Sequence, residues 1–293
     1  MAITGQMPLA KMQMAREVVP GTSLAATHKV PIISGNLNEH GERTHPQEQR
    51  ESFIGNHRSF VTKRFVEISG MEISPTYEDL PRFLNYAISC NMTGAPTAVT
   101  ARQYAFAPNA TVNDLGTATL EVGDDTDEFD VNFGILTRLE LTISKNAPAT
   151  LTCDWLGQKA TSGSFTSNLS DRTLEDINGA TATAYIDAAA GTIGTTLVTN
   201  PMEVKVTIET KQTQFWGFNG DLTPVDTYRN AARSAMVEAK LAFLNTTEYD
   251  QFQTNMSATG STQRKIRIVV TGSNITGTVP TTARSLTIDL YTI

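Results

Sequence analysis

Between Glu121 and Asp130, in the stretch EVGDDTDEFD, six of ten residues are acidic: Glu121, Asp124, Asp125, Asp127, Glu128 and Asp130. Carboxylates at this density could chelate a divalent cation, or two of them could divide general-acid and general-base work. A calcium loop of the EF-hand kind needs ligands at alternating positions, a central glycine and a closing glutamate at the twelfth place. Here Gly123 precedes the acids and their spacing departs from that pattern. An acid pair needs one carboxyl buried in a cleft so that its pKa rises, whereas acids in a loop stay solvated and titrate near their ordinary values. The sequence favours a third reading, a charged turn. TATLEV precedes the run, FDVNFGILTRLELT follows it, and Gly123 supplies the backbone freedom to reverse direction.

Other chemistry is sparsely represented. G-x-S-x-G, H-E-x-x-H, the P-loop and G-x-G-x-x-G are all absent. His28, His40, His45 and His57 all fall in the first 58 residues, with no i,i+4 pair and no cysteine partner of the kind a zinc site uses. Cys90 and Cys153 are too few for a disulfide framework or a metal knuckle, and Cys153 alternates with Ala149, Leu151 and Trp155 as a core residue would. Trp155 shares that apolar face. Trp216, in KQTQFWGFNG with Phe215 and Phe218, fits a core and an interface equally well. The expectation is a protein that is not an enzyme and that carries no cofactor and no metal.

What remains is architecture. The chain has 293 residues, a net charge of −7 and a pI near 5.2. That balance argues against a tight grip on nucleic acid, which depends on lysines and arginines neutralising phosphates, and is compatible with a surface that touches DNA without holding it. The first 30 residues lack the apolar run of a signal peptide, and no stretch of about 18 apolar residues could span a bilayer. A chain made in a cytoplasm, with no membrane insertion, is expected. Threonine occurs 43 times and aromatics make up only 7%, a composition suited to pleated surfaces exposed on one side.

Residues 1–58 are polar, poorly periodic and rich in turn formers, and read as an extended N-terminal arm. From 59 to 293 the chain alternates with a period of two. In LTRLELTIS, Leu139, Leu141 and Ile143 face one way and Arg138, Glu140 and Thr142 the other; TATLEVG, ATLTCDW, EVKVTIE, KIRIVVT and RSLTIDL repeat the pattern. VTKRFVEIS near 61–69 is a weaker example. Six clean strands with one apolar and one polar face predict a mostly β fold, an antiparallel sandwich or barrel. One short helix is expected in TYEDLPRFLNYAIS, with Thr76 as N-cap and Asp79 three residues on, and a second in TEYDQFQTNM. RSAMVEAKLAFLN has helical propensity, yet it also alternates from Ala235 to Phe243, and periodicity alone does not arbitrate.

The order of features resembles the tail tube (major tail) proteins of long-tailed, non-contractile bacteriophages. The residues carrying the resemblance are GMEISPTYEDLPRFLNYAI, the strand–acidic loop–strand unit, LTRLELTISKNAPATLTCDWLGQKAT, TAYIDAAAGTIGTT, EVKVTIETKQTQFWGFNG and the closing SLTIDLYTI. The resemblance implies a β-sandwich that joins into hexameric rings and stacks into a tube in the virion tail, assembled in the host cytoplasm. It implies a channel through which viral DNA passes without specific binding, and as partners the chain itself and tail terminator, tape measure and tail tip proteins. By analogy with the family, 232–244 is expected as strand. The acidic loop is then expected to contact an adjacent subunit or ring, or to lie near the channel. It would pair with bases such as Arg102, Arg138, Lys145 or Lys159, or add to a lining that repels phosphate.

Two other readings share the β composition. One is a contractile-tail or secretion-type tube subunit, which has the same physics and different partners. The other is a carbohydrate-binding or adhesin-like sandwich, which predicts a stable monomer with an exposed aromatic platform.

Overall fold

The computed structural model describes residues 10–46, 58–89, 94–96, 101–108, 116–124, 126–170, 174–242, 264–275 and 281–291. The first half of the chain contributes β1 (Lys11–Arg16), β2 (His28–Val30), β3 (Ile32–Thr44), β4 (Phe60–Ile73), helix α1 (Leu80–Ala87), β5 (Ala95–Pro96), β6 (Arg102–Gln103), β7 (Ala118–Gly123) and β8 (Glu128–Ser144). The second half adds β9 (Thr150–Gly157), β10 (Lys159–Ser162), β11 (Ala182–Ala188), β12 (Leu197–Val198), β13 (Pro201–Glu209), β14 (Gln212–Phe215), β15 (Asp226–Arg229), β16 (Ser234–Leu241), β17 (Arg264–Asn274) and β18 (Ala283–Leu290).

The fold is mostly β and antiparallel, and strand β8 organises it. Its first seven residues pair with β7 on one side and β10 on the other, which continues a ladder β2–β1–β7–β8–β10. Its remaining residues pair with β9 and β13 in a second ladder, β3–β4–β9–β8–β13–β16. Between the two ladders stands Phe133, buried and with φ at 57°, a left-handed conformation that a bulky L residue rarely adopts. The separate four-stranded sheet β12–β11–β17–β18 and helix α1 cover the apolar side of the second ladder.

Alternation in the sequence becomes two faces in space. Leu139, Leu141, Ile143, Leu151, Cys153, Trp155, Val204 and Val206 are buried and meet Leu80 and Phe83 of α1 and Ile268 and Val270 of β17. Tyr86 of α1 packs edge-on against Trp155 at 5.4 Å between centroids. Burial leaves the Cys153 thiol with a strongly raised pKa, as befits a core residue rather than a nucleophile. All six alternating segments are strands, and so is the ambiguous stretch at 232–244, from Ser234 to Leu241. There sheet pairing outweighs local helical propensity.

Two details differ from the sequence reading. Residues 11–44, expected within an arm outside the sandwich, instead supply β1, β2 and β3, and Met12, Met14 and Val30 enter the core. β3 hid from the pattern because it is an edge strand exposed on both sides and interrupted by bulges. At α1, Asp79 rather than Thr76 occupies the N-cap. Thr76 lies three residues earlier, and its hydroxyl accepts the Asp79 amide at 3.1 Å and donates to the Asp79 carboxylate at 3.2 Å. The second expected helix, in TEYDQFQTNM, lies outside the described residues, as do Cys90 and His57.

Candidate functional site

The acidic run forms the tip of the β7–β8 hairpin, and its members have separate duties. Gly123 is required by close approach, since a Cβ there would stand 2.1 Å from the Asp127 carbonyl oxygen. The Asp124 carboxylate accepts the amides of Thr126 at 2.7 Å and Asp127 at 3.0 Å, which hold its pKa below the ordinary range. Glu121 is buried and serves its own chain, so it is not available to a neighbour or a channel. It accepts the Ala26 amide at 3.0 Å, the Thr166 amide at 2.7 Å and the Thr166 hydroxyl at 2.5 Å. Glu128 accepts the Phe165 amide at 2.7 Å. Asp130 lies against Gly163, and burial, with Glu121 and Glu128 close by, pushes its pKa up. Asp127 is exposed at the tip, and Asp125 lies outside the described residues. The run is therefore half a fastener for residues 163–166 and half an exposed acidic turn. Among the described residues no cluster of His, Cys, Asp or Glu could hold a metal ion.

The four bases named with the acids are dispersed. Arg138 pairs with Glu140 and approaches Asp154 at 4.0 Å, Lys145 donates to the Ala180 carbonyl at 2.8 Å, and Lys159 lies on β10 opposite Asn132. Arg102 is exposed on β6 and donates to the Gly94 carbonyl at 3.4 Å. Among the described residues none of them forms an ion pair with the tip.

Three surfaces stand out once the fold is in place. The first is the polar side of the second ladder. Register sets Lys205 beside Thr142 and Glu238, Thr207 beside Glu140, and Glu209 beside Arg138. Lys205 reaches Glu140 at 2.9 Å, which raises the lysine pKa; Lys240 pairs with Glu203 and Lys211 with Glu209, lowering both glutamate pKa values. The surface is polar, threonine-bearing and tiled with ion pairs instead of bare acids.

The second surface is the pair of sheet edges. Among the described residues β3 pairs only with β4, and β16 only with β13. Strand β16 is open on both faces, with Ala235 and Ala239 exposed on one and Met236, Glu238 and Lys240 on the other. Met236 is 54% exposed, an apolar side chain on an open edge, and such an edge is a template for another strand.

The third is a recess of about 1700 Å³ between α1, β18 and the apolar side of β13 and β16. Leu139, Leu141, Val206 and Ile208 form one wall, and Leu286 and Ile288 another. Around them stand Arg82, Arg102, Arg229, Arg233, Arg267 and Arg284, against only Glu78 and Asp289 among the described lining residues.

Sequence reasoning did not find several carboxylates that anchor loops. Asp187 accepts the Gly194, Thr195 and Thr196 amides and the Thr195 hydroxyl, at 2.6 to 3.2 Å. Arg284 bridges Glu78, before α1, at 2.8 Å and Glu175 at 3.2 Å. The abundance of Gly and Thr after Asp187 was the available signal for the first; the second joins residues too distant in sequence to leave one. The two tryptophans offer no open platform. Trp155 is in the core, and Trp216 is half-buried, edge-on to Phe65 with Lys63 over its ring at 5.0 Å. A scan against protein-family models and a search of curated proteins return no match to this chain.

Proposed function

We propose that this protein is the structural subunit of a phage tail tube, self-assembling into stacked, hexameric rings around a channel for genome delivery. The observation that carries this reading is the second ladder: six antiparallel strands, apolar on one face, ion-paired and threonine-bearing on the other, with an open strand at each edge. Two unlike edges on one sheet favour head-to-tail association, which closes into a ring when the rotation per subunit permits. The polar face then lines the channel. Its lysines and Arg138 are engaged by carboxylates, so they present little unpaired positive charge to a passing phosphate backbone. The order of sequence elements, which resembles that of tail tube proteins, implies the hexamer and the partners, namely tail terminator, tape measure and tail tip proteins.

The test is negative-stain electron microscopy with sedimentation over a rising concentration series. Rings or hollow tubes support the proposal. A monomer at every concentration, with and without a tail-tip initiator, overturns it.

A further inference from the structure

We infer that the arginine-rimmed recess of one copy receives the acidic β7–β8 tip of another; this rests on the assembly reading above. The recess is charge-complementary to the tip in a chain whose net charge is −7. Six arginines line it against Glu78 and Asp289; with Asp79 beside Arg82 and Glu175 beside Arg284, the described acids around it number four, an excess of two positive charges. Arg267 is engaged by Asp289, and Arg284 by Glu78 and Glu175. Arg102 instead donates to a neutral carbonyl, which leaves its charge uncompensated by that contact.

Among the described residues Asp127 makes no ion pair with its own chain's recess. Leu139, on the recess wall, lies eleven residues along β8 from Glu128, a contour of at most about 36 Å at about 3.3 Å per residue. An exposed acidic turn and a basic recess at different places on one molecule make a heterologous pair, each copy giving a tip and taking one. Among the described residues Asp127 is the exposed carboxylate of the tip, whereas Glu121 and Glu128 are committed to backbone amides of their own chain. The contact is therefore assigned to Asp127 and Arg102.

Three variants of the full chain test this: Asp127→Lys, Arg102→Glu and the two combined. Circular dichroism and thermal melting serve as folding controls. Each single reversal should raise the concentration needed for assembly at least about tenfold, because like charges then face each other. The double reversal should recover most of that loss, and assembly of the wild type should weaken with salt. Independently, Asp127→Cys combined with Arg102→Cys should give oxidation-dependent bonds between copies. Singly reversed variants that assemble like the wild type, or a cysteine pair that never links, would overturn this contact while leaving the tube reading intact. A wild type that never assembles would remove both.

Discussion

The carboxylate of Glu17, on the turn after β1, accepts the backbone amide of Phe133 at 2.8 Å, tying the first strand to the residue at which β8 passes from one ladder to the other. The same buried carboxylate accepts the Gly21 amide at 2.8 Å and the Thr119 hydroxyl at 3.1 Å. Removing it strands donors in a water-poor site. Glu17→Ala should cost about 3 kcal/mol, and Glu17→Gln less, because the amide oxygen still accepts. Urea unfolding of the two variants measures the difference; equal stability of Glu17→Ala and wild type would refute the anchoring role.

Gly123 is fixed by space rather than by φ. In Gly123→Ala the new methyl would meet the Asp127 carbonyl oxygen at 2.1 Å and Glu128 Cα at 2.8 Å, both backbone atoms. We expect a loss of about 2 kcal/mol and faster proteolytic nicking within 123–128. An unchanged nicking rate would argue that the turn accommodates a side chain.

Asp130 carries a built-in penalty at neutral pH. Its folded pKa lies above its ordinary value of 3.8 because of burial and the nearby Glu121 and Glu128. A raised acid contributes most stability below the unfolded pKa and loses it as pH rises through the folded pKa. Asp130→Asn should therefore melt higher than wild type at pH 7, with the advantage vanishing below about pH 4. Melting curves at the two pH values decide it.

Asp187 has the opposite sign. Amide and hydroxyl donors hold its pKa well below 3.8, so its contribution is complete above the unfolded pKa and fades as pH falls below 3.8. Asp187→Asn should lower the melting point at pH 7 and blunt the acid sensitivity of hydrogen exchange in residues 189–196. Unaltered exchange there would show that the loop holds itself.

Met236 separates assembly from folding. It is exposed on the open edge β16, so Met236→Lys should change monomer stability by no more than about 0.5 kcal/mol. If that edge meets a second copy, the same change should abolish rings or tubes, since an edge lysine discourages strand addition. Assembly at the wild-type concentration would exclude this edge from the interface.

The β class, the strands with one apolar face, helix α1 and the hairpin at the acidic run were legible in the order of residues alone. Each depends on neighbours a few residues apart: the period of two from Leu139 to Ile143, the Thr76–Asp79 spacing, and Gly123 before the acids. The strand at 234–241 needed the resemblance to tail tube proteins, because Ala, Glu and Lys suit a helix as well as an exposed edge. Tertiary structure alone decided that β3 joins a ladder, that Glu121 is buried while Asp127 is exposed, and that six arginines from separate segments surround one recess. Those outcomes depend on which strands become edges and which distant segments meet. Local periodicity records the face a residue presents, but not the partner that face will find.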